Sequence, residues 1–290
     1  MDEPAVSLLA LRFTDASFAR ELVWKKDEDV PVAQVATQDE FDGFLAQVHA
    51  HGSVVSALLR AEAVGPAWLC GGMTSSRGPQ LQISTNGVHD DAGTGVVFSR
   101  RLPIQVGLAQ GCTPLGPIHR VTAVIGSVVL TIDGRAALDV LEEETAVLDI
   151  SEPRELGRRV AVGVTLPHRD RHDYLVRNLT GVGGADRAIA VGHQFRLGDT
   201  FQFVVRNADS AREEMRGMLE ELAQRMPSPR AGLYVSCVAR GGGLFGEPDV
   251  EPNMIREMFG DIPLAGFFSG GEIYHRNLYG QSGVLTLFGE

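Results

Sequence analysis

Cysteine is scarce in this chain. Cys70, Cys112 and Cys237 are the only three among 290 residues, and they lie far apart. That is too few for a disulfide framework and points to a reducing compartment. Long hydrophobic runs are missing too. The stretch Ala123–Leu130 is interrupted by Gly126 and Ser127, well short of the roughly 20 apolar residues a membrane helix needs. Asp2, Glu3 and Pro4 open the sequence, so the charged-then-apolar pattern of a signal peptide is not there. Positive charge is in deficit: the formal net charge is -11. Such a surface repels phosphate backbones, and the densest basic stretch, residues 167–172, carries its own Asp170. These absences predict a soluble, cytoplasmic protein that binds neither nucleic acid nor membrane.

Recognisable catalytic motifs are absent as well. There is no Cys-x-x-Cys pair, no phosphate loop of the Walker type and no Gly-x-Ser-x-Gly elbow. Gly181-Val182-Gly183-Gly184 reads as a hairpin turn rather than a strand-to-helix dinucleotide fingerprint. His168 and His172 have the spacing for metal on a helix, but Pro167 precedes them and a strand follows, which disfavours a site. The expectation is a binding protein, not an enzyme, with no metal site and no cofactor named.

What is present is an ordinary globular balance, 44% hydrophobic and 22% charged, over a length that suits one large domain or two of usual size. Val6–Phe13, Ser53–Leu59, Pro66–Cys70, Gly93–Ser99 and Ile104–Ala109 read as strands. Thr37–Ala50 reads as a helix, with Thr37 as cap and Glu40 three residues on. Gly111–Pro117 reads as a rigid turn. Val121–Ile132 reads as a strand broken at Gly126, and Asp133-Gly134 as a tight turn. A short helix starts at Ala136, and Glu142, Glu143 and Glu144 then form a solvated acidic face.

Ser151–Arg159 is polar, contains Pro153 and is the best candidate linker. Beyond it, Val160–Leu166, Tyr174–Asn178, Ala188–Val191 and Thr200–Val205 form an antiparallel run. Ser210–Arg225 is a helix with Ser210 as cap and Met215, Met218, Leu219 and Leu222 on its core face. Gly232–Ala239 is a buried strand, Pro252–Phe259 a helix, and Leu264–Phe268 and Val284–Phe288 are closing strands. Hairpin-length links among mixed elements predict an α+β fold. Its sheets should be mixed and largely antiparallel, with flanking helices, in two similar-sized modules, 1–150 and 151–290.

Two clusters carry candidate chemistry. Arg240-Gly241-Gly242-Gly243 ends a strand: successive glycine amides can form an anion nest, and an arginine beside it can clamp a carboxylate. The alternative is a mobile loop with Arg240 pairing a nearby acid. Gly270-Gly271-Glu272 follows the strand Leu264–Phe268. If the two strand ends are neighbours, Arg240 and Glu272 share one opening and hold the two ends of a zwitterion such as an amino acid. The alternative is that they bridge one another. Strand alternation puts Tyr234, Ser236, Val238 and Arg240 on one face, with Val235, Cys237 and Ala239 on the other. Cys112 reads as a buried small hydrophobe, with a nucleophile or haem-side ligand as the alternative.

Several segments together resemble one family. Gly111-Cys112-Thr113-Pro114-Leu115-Gly116-Pro117 is similar to a turn of the FIST N-terminal module. Tyr174–Leu179 and Gly198–Phe203 with Arg206 resemble the start of the FIST C-terminal module. Cys237 with Arg240-Gly241, and Gly266-Phe267-Phe268 with Gly270-Gly271-Glu272, resemble its later signature. The resemblance implies an intracellular sensory module for a small ligand, amino acids or related metabolites among the suggestions, acting with a signalling protein partner. It leaves two alternatives, a protein-interaction scaffold and a haem-based gas sensor. The sequence departs from the family pattern in one respect: its N-terminal module begins part-way in, as a shortened member or as a trimmed chain. The candidate ligand-binding residues are therefore Arg240, Gly241, Gly242, Gly243, Gly270, Gly271, Glu272, Cys112 and Cys237.

Overall fold

The computed structural model describes residues 19–25, 45–50, 68–75, 81–90, 92–99, 101–150, 153–166, 174–275 and 277–290. The expected strands Val6–Phe13 and Ser53–Leu59 and the pair His168 and His172 lie outside them. The chain forms two compact units, residues 1–110 with 212–290, and residues 111–211. This division is discontinuous along the sequence.

The first unit begins with β1 (Ala19–Lys25), β2 (Leu45–Ala50), β3 (Trp68–Met73), the hairpin β4 (Gln82–Ser84) and β5 (Gly87–His89), β6 (Ala92–Phe98) and β7 (Ile104–Ala109). Over Leu45–Ala50 the expected helix is replaced by a strand. β2 lies between two partners, antiparallel to β6 and parallel to β3. Backbone pairing on both sides outweighs the local helical spacing of the sequence, and the earlier part of the expected helix, residues 37–44, lies outside the described residues.

The second unit is a six-stranded barrel. Its strands are β8 (Cys112–Ile125), β9 (Val128–Ile132), β11 (Val160–Thr165), β12 (Tyr174–Gly183), β13 (Ala188–Val191) and β14 (Thr200–Arg206), with the two-residue β10 (Arg135–Ala136) beside β9. The order β9-β13-β12-β11-β14-β8 closes because β8 also pairs with β9. Closure leaves no sheet edge along the ring. Asp133 and Gly134 join β9 to β10 with φ of 53° and 79°, the paired positive values of a tight hairpin turn.

The segment Gly111–Pro117 is not a free turn. Cys112–Leu115 pair with β14, and register slips before His119, so residues 116–118 bulge. The bulge accommodates Pro117, which gives no amide to the ladder. Gly116 has φ of 78°, and a Cβ there would meet the Glu144 carboxylate at 2.6 Å. Helix α1 (Ala137–Thr145) delivers that carboxylate. Glu142 and Glu143 are solvated as expected, but Glu144 turns inward. His119 is buried, with Nε2 2.7 Å from Glu144 Oε1 and Nδ1 2.7 Å from Asp133 Oδ2. Burial lifts the Glu144 carboxyl above its usual range, against the opposing pull of His119. The expected linker also contains helix α2 (Pro153–Arg159), with proline at its first position, Glu155 in the first turn and Arg158 and Arg159 in the last.

Helix α3 (Ala208–Arg225) is capped by Asn207 rather than Ser210: Asn207 Oδ1 accepts from the Asp209 amide at 2.8 Å. Ser210 instead meets the Thr113 hydroxyl. Asn207→Ala should lower stability by about 1 kcal/mol, measured by urea unfolding. An equal or larger loss from Ser210→Ala would contradict this cap assignment.

The rest of the first unit comprises β15 (Ala231–Cys237), the single turn α4 (Gly242–Phe245), α5 (Val250–Phe259), β16 (Leu264–Ser269), β17 (Glu272–His275), β18 (Asn277–Tyr279) and β19 (Gly283–Phe288). Its two main sheets have the orders β1-β6-β2-β3-β17-β18 and β16-β15-β19-β7. The four-stranded sheet is covered on both faces. On one side, Leu285 and Leu287 of β19 pack with Met215, Met218, Leu219 and Leu222 of α3 and Ile255 of α5. On the other, Val284 packs with Cys70 of β3, and Phe288 with Phe98 of β6. Two-sided burial explains why β19 is apolar almost throughout. The fold is α+β with mostly antiparallel sheets. Among the described pairings, only β2–β3 and β15–β16 are parallel.

Candidate functional site

Tyr234 and Ser236 project from one face of β15, and Arg240 follows in the turn beyond it. All three converge on one carboxylate, that of Glu251 in the first turn of α5. Tyr234 Oη donates to Glu251 Oε1 at 2.8 Å, Ser236 Oγ to Oε2 at 2.9 Å, and Arg240 Nε to Oε1 at 2.7 Å. Arg240 Nη2 approaches the same oxygen at 2.6 Å, outside hydrogen-bond alignment, and Nη1 donates to the Gln281 carbonyl at 3.1 Å. The Phe245 ring lies 5.7 Å from the guanidinium carbon. Arg240 is 2% exposed and Glu251 3%. Buried charges persist only when paired and hydrogen-bonded, and these are.

This arrangement corrects the expectation that Arg240 and Glu272 share an open mouth. Arg240 is closed off by Glu251. Glu272 is fully buried at the start of β17, its Oε2 accepting from the Ser282 hydroxyl at 2.7 Å and the Ser282 amide at 3.3 Å. The Arg240 charge still reaches it, but burial dominates and pushes the Glu272 carboxyl up to about 7.

A pH dependence follows. The native state keeps this proton to higher pH than the unfolded chain, whose carboxyl titrates near 4.5. Between those values the folded protein binds more protons, so stability falls as pH rises through the window. Relative to Glu272→Gln, the wild type should lose about 3 kcal/mol between pH 4 and pH 8. Parallel pH profiles of the two proteins in denaturant unfolding would disprove it.

The glycines do not form an open nest either. Gly241 caps α4 with φ of 67°, and its carbonyl accepts from the Leu244 and Phe245 amides. Gly242 and Gly243 are exposed in that first turn. The Gly270 amide donates to the Met73 carbonyl and the Gly271 carbonyl accepts from the Met73 amide, so both tie β3 to the end of β16. Cys237 is buried, and burial pushes its thiol up to about 11, which leaves it protonated at neutral pH. Cys112 lies in the barrel unit, buried, its carbonyl accepting from Tyr174 Oη. The structure therefore groups Arg240, Gly241, Glu272 and Cys237 in one unit and leaves Cys112 in the other.

A cavity of about 300 Å³ opens beside the Glu251 cluster. Tyr234, Ser236 and Gly241 line one side, and Asp249, Val250, Glu251, Pro252 and Arg256 of α5 another. Leu264–Phe268 of β16 complete it with mostly apolar surface. Sequence patterns aligned Tyr234, Ser236 and Arg240 but missed their shared partner. The available signal was an acidic residue directly before Pro252, at the start of an expected helix. Among the described residues, no group of three or more His, Cys, Asp and Glu side chains is placed to hold a metal ion.

Comparison with known proteins adds the following. Residues 1–135 match the family described as FIST N domain, and residues 137–275 the one described as FIST C domain. An uncharacterized protein of Mycobacterium tuberculosis is 34% identical over 193 residues, covering 62% of this chain and 50% of that protein. One of Mycobacterium bovis is 34% identical over 215 residues, 69% of this chain and 55% of its own. The chain spans about half the length of the curated relatives it matches.

Proposed function

The chain belongs to the FIST family, with both its N and C domains, and from that premise we propose an intracellular sensory module. It binds a small ligand, an amino acid or related metabolite, in the cavity between the start of α5 and β16, and passes occupancy to a signalling partner. The observation that carries this reading is the cavity's construction. Apolar wall from β16 faces a polar set that is already hydrogen-bonded and held in place by the buried Arg240–Glu251 pair. Small-molecule sites have this composition, and 300 Å³ is at the low end of their usual range of about 300–1,000 Å³. A compact metabolite fits that volume better than a nucleotide or haem.

The test is a thermal-shift and calorimetric screen with free amino acids and related metabolites. A ligand at 100 times its Kd stabilises the native state by about 2.7 kcal/mol, readily seen as a rise in Tm. Val250→Trp, which places a large ring at the cavity wall, should abolish the shift while the protein remains folded. A ligand that shifts both proteins equally would place binding elsewhere.

A further inference from the structure

We infer that the ligand group this cavity recognises is an ammonium, so that its ligands are primary amines with a short apolar body, amino acids among them by their amino rather than their carboxylate end. This rests on the cavity being the ligand site. Two carboxylates line it, Asp249 and Glu251. Glu251 accepts three hydrogen bonds, two at Oε1 and one at Oε2. A carboxylate offers about four acceptor positions, so Oε2 retains capacity for one more donor. Asp249 precedes α5 in the left-handed region, φ 58°, and its side chain makes no cap bond. A carboxylate in that position ordinarily caps its own helix. Here it lies exposed at the cavity rim, and no ion pair with it is seen among the described residues.

The cations are arranged the other way. Arg240 is withdrawn behind Glu251, its side chain fully buried, and it does not line the cavity. Arg256 does line it, but its Nη1 donates to Asn253 Oδ1 at 2.9 Å and its Nε lies 3.9 Å from Asp261. That side chain is 60% exposed, so a ligand carboxylate gains from it only what a solvated surface pair supplies. The α5 N-terminus favours an anion by its dipole, and Asp249 and Glu251 already supply that charge. What remains for a ligand is one buried acceptor, one solvent-exposed carboxylate at the rim without an ion-pair partner among the described residues, and the apolar wall of Leu264, Phe267 and Phe268. That combination selects a cationic head on an apolar body.

The experiment uses matched probes with a common branched tail: 3-methylbutan-1-amine, L-leucine, 4-methylpentanoate and 3-methylbutan-1-ol. A second set carries a phenyl tail: 2-phenylethylamine, L-phenylalanine, 3-phenylpropanoate and 2-phenylethanol. Each is titrated calorimetrically into wild type, Val250→Trp and Asp249→Asn at pH 7.5. Asparagine tolerates the left-handed backbone, so Asp249→Asn keeps the fold. The amines and amino acids are expected to bind, the alcohols roughly tenfold more weakly and the carboxylates weakest, with Asp249→Asn weakening the amines roughly fivefold. A carboxylate that binds as tightly as its amine overturns the ammonium assignment and leaves the ligand cavity standing. Silence from all eight probes with the wild type counts against the cavity as a site for such metabolites and removes both.

Discussion

Arg240→Ala is expected to lower the unfolding free energy by about 3–5 kcal/mol, a large share of the stability of an ordinary domain. Alanine leaves the Glu251 carboxylate 3% exposed with two neutral hydroxyl donors and no cation. It also strips a donor from the Gln281 carbonyl. Loss of guanidinium packing on Phe245 adds to the cost. The double variant Arg240→Met, Glu251→Gln removes both charges and keeps an amide that can accept from Tyr234 and donate to Ser236. It should recover most of the loss, because a buried pair replaced as a unit is close to neutral. Urea unfolding with unchanged m values provides the measurement. A single-variant loss under about 1 kcal/mol would mean that the Arg240–Glu251 pair is not buried as described.

Gly266→Ala is expected to be as damaging, about 4 kcal/mol or more. Gly266 pairs in parallel with Tyr234, and a Cβ on it would sit 1.9 Å from the Tyr234 carbonyl oxygen and 2.9 Å from the carbonyl carbon. These are backbone atoms, so no rotamer change relieves the contact, and β16 must move off β15. The same movement displaces Leu264–Phe268, the apolar wall of the cavity, so ligand binding should fail along with stability. Gly217→Ala serves as the opposite control. Gly217 lies on the exposed side of α3 with nothing within 4 Å of its Cβ position. Alanine there should raise stability by up to about 1 kcal/mol. If Gly266→Ala is tolerated as well as Gly217→Ala, the close approach of β16 to β15 is wrong.

The Glu251 cluster shows how far local pattern reaches. Alternation along β15 placed Tyr234, Ser236 and Arg240 on a common side, and they do meet at one point. Alternation carries no information about what stands opposite. Arg240 had Glu272 as its expected partner because both follow strand ends rich in glycine. The helix α5, packed through Ile255 against the sheet, brings Glu251 closer. The same limit accounts for Glu144. An acidic run at the end of a helix reads as solvated, and two of its three members are. The third is drawn in by His119, which is 25 residues away along the chain.

The amino-acid sequence by itself determined the α+β class, most strand positions, the tight turn at Asp133-Gly134, the apolar face of α3 and membership of a family. Each depends on neighbours within a few residues, where the periods of 2 and 3.6 and the special backbone of glycine and proline are expressed directly. The tertiary structure alone decided that Leu45–Ala50 is a strand, that Cys112–Ile125 is one bulged strand closing a barrel, and that Arg240 binds Glu251 inside the protein. In each case the outcome depends on which distant segment arrives to pair with the backbone or neutralise a charge. That competition is settled by the packing of the whole unit, where a buried charge or an unpaired strand costs more free energy than local preference supplies.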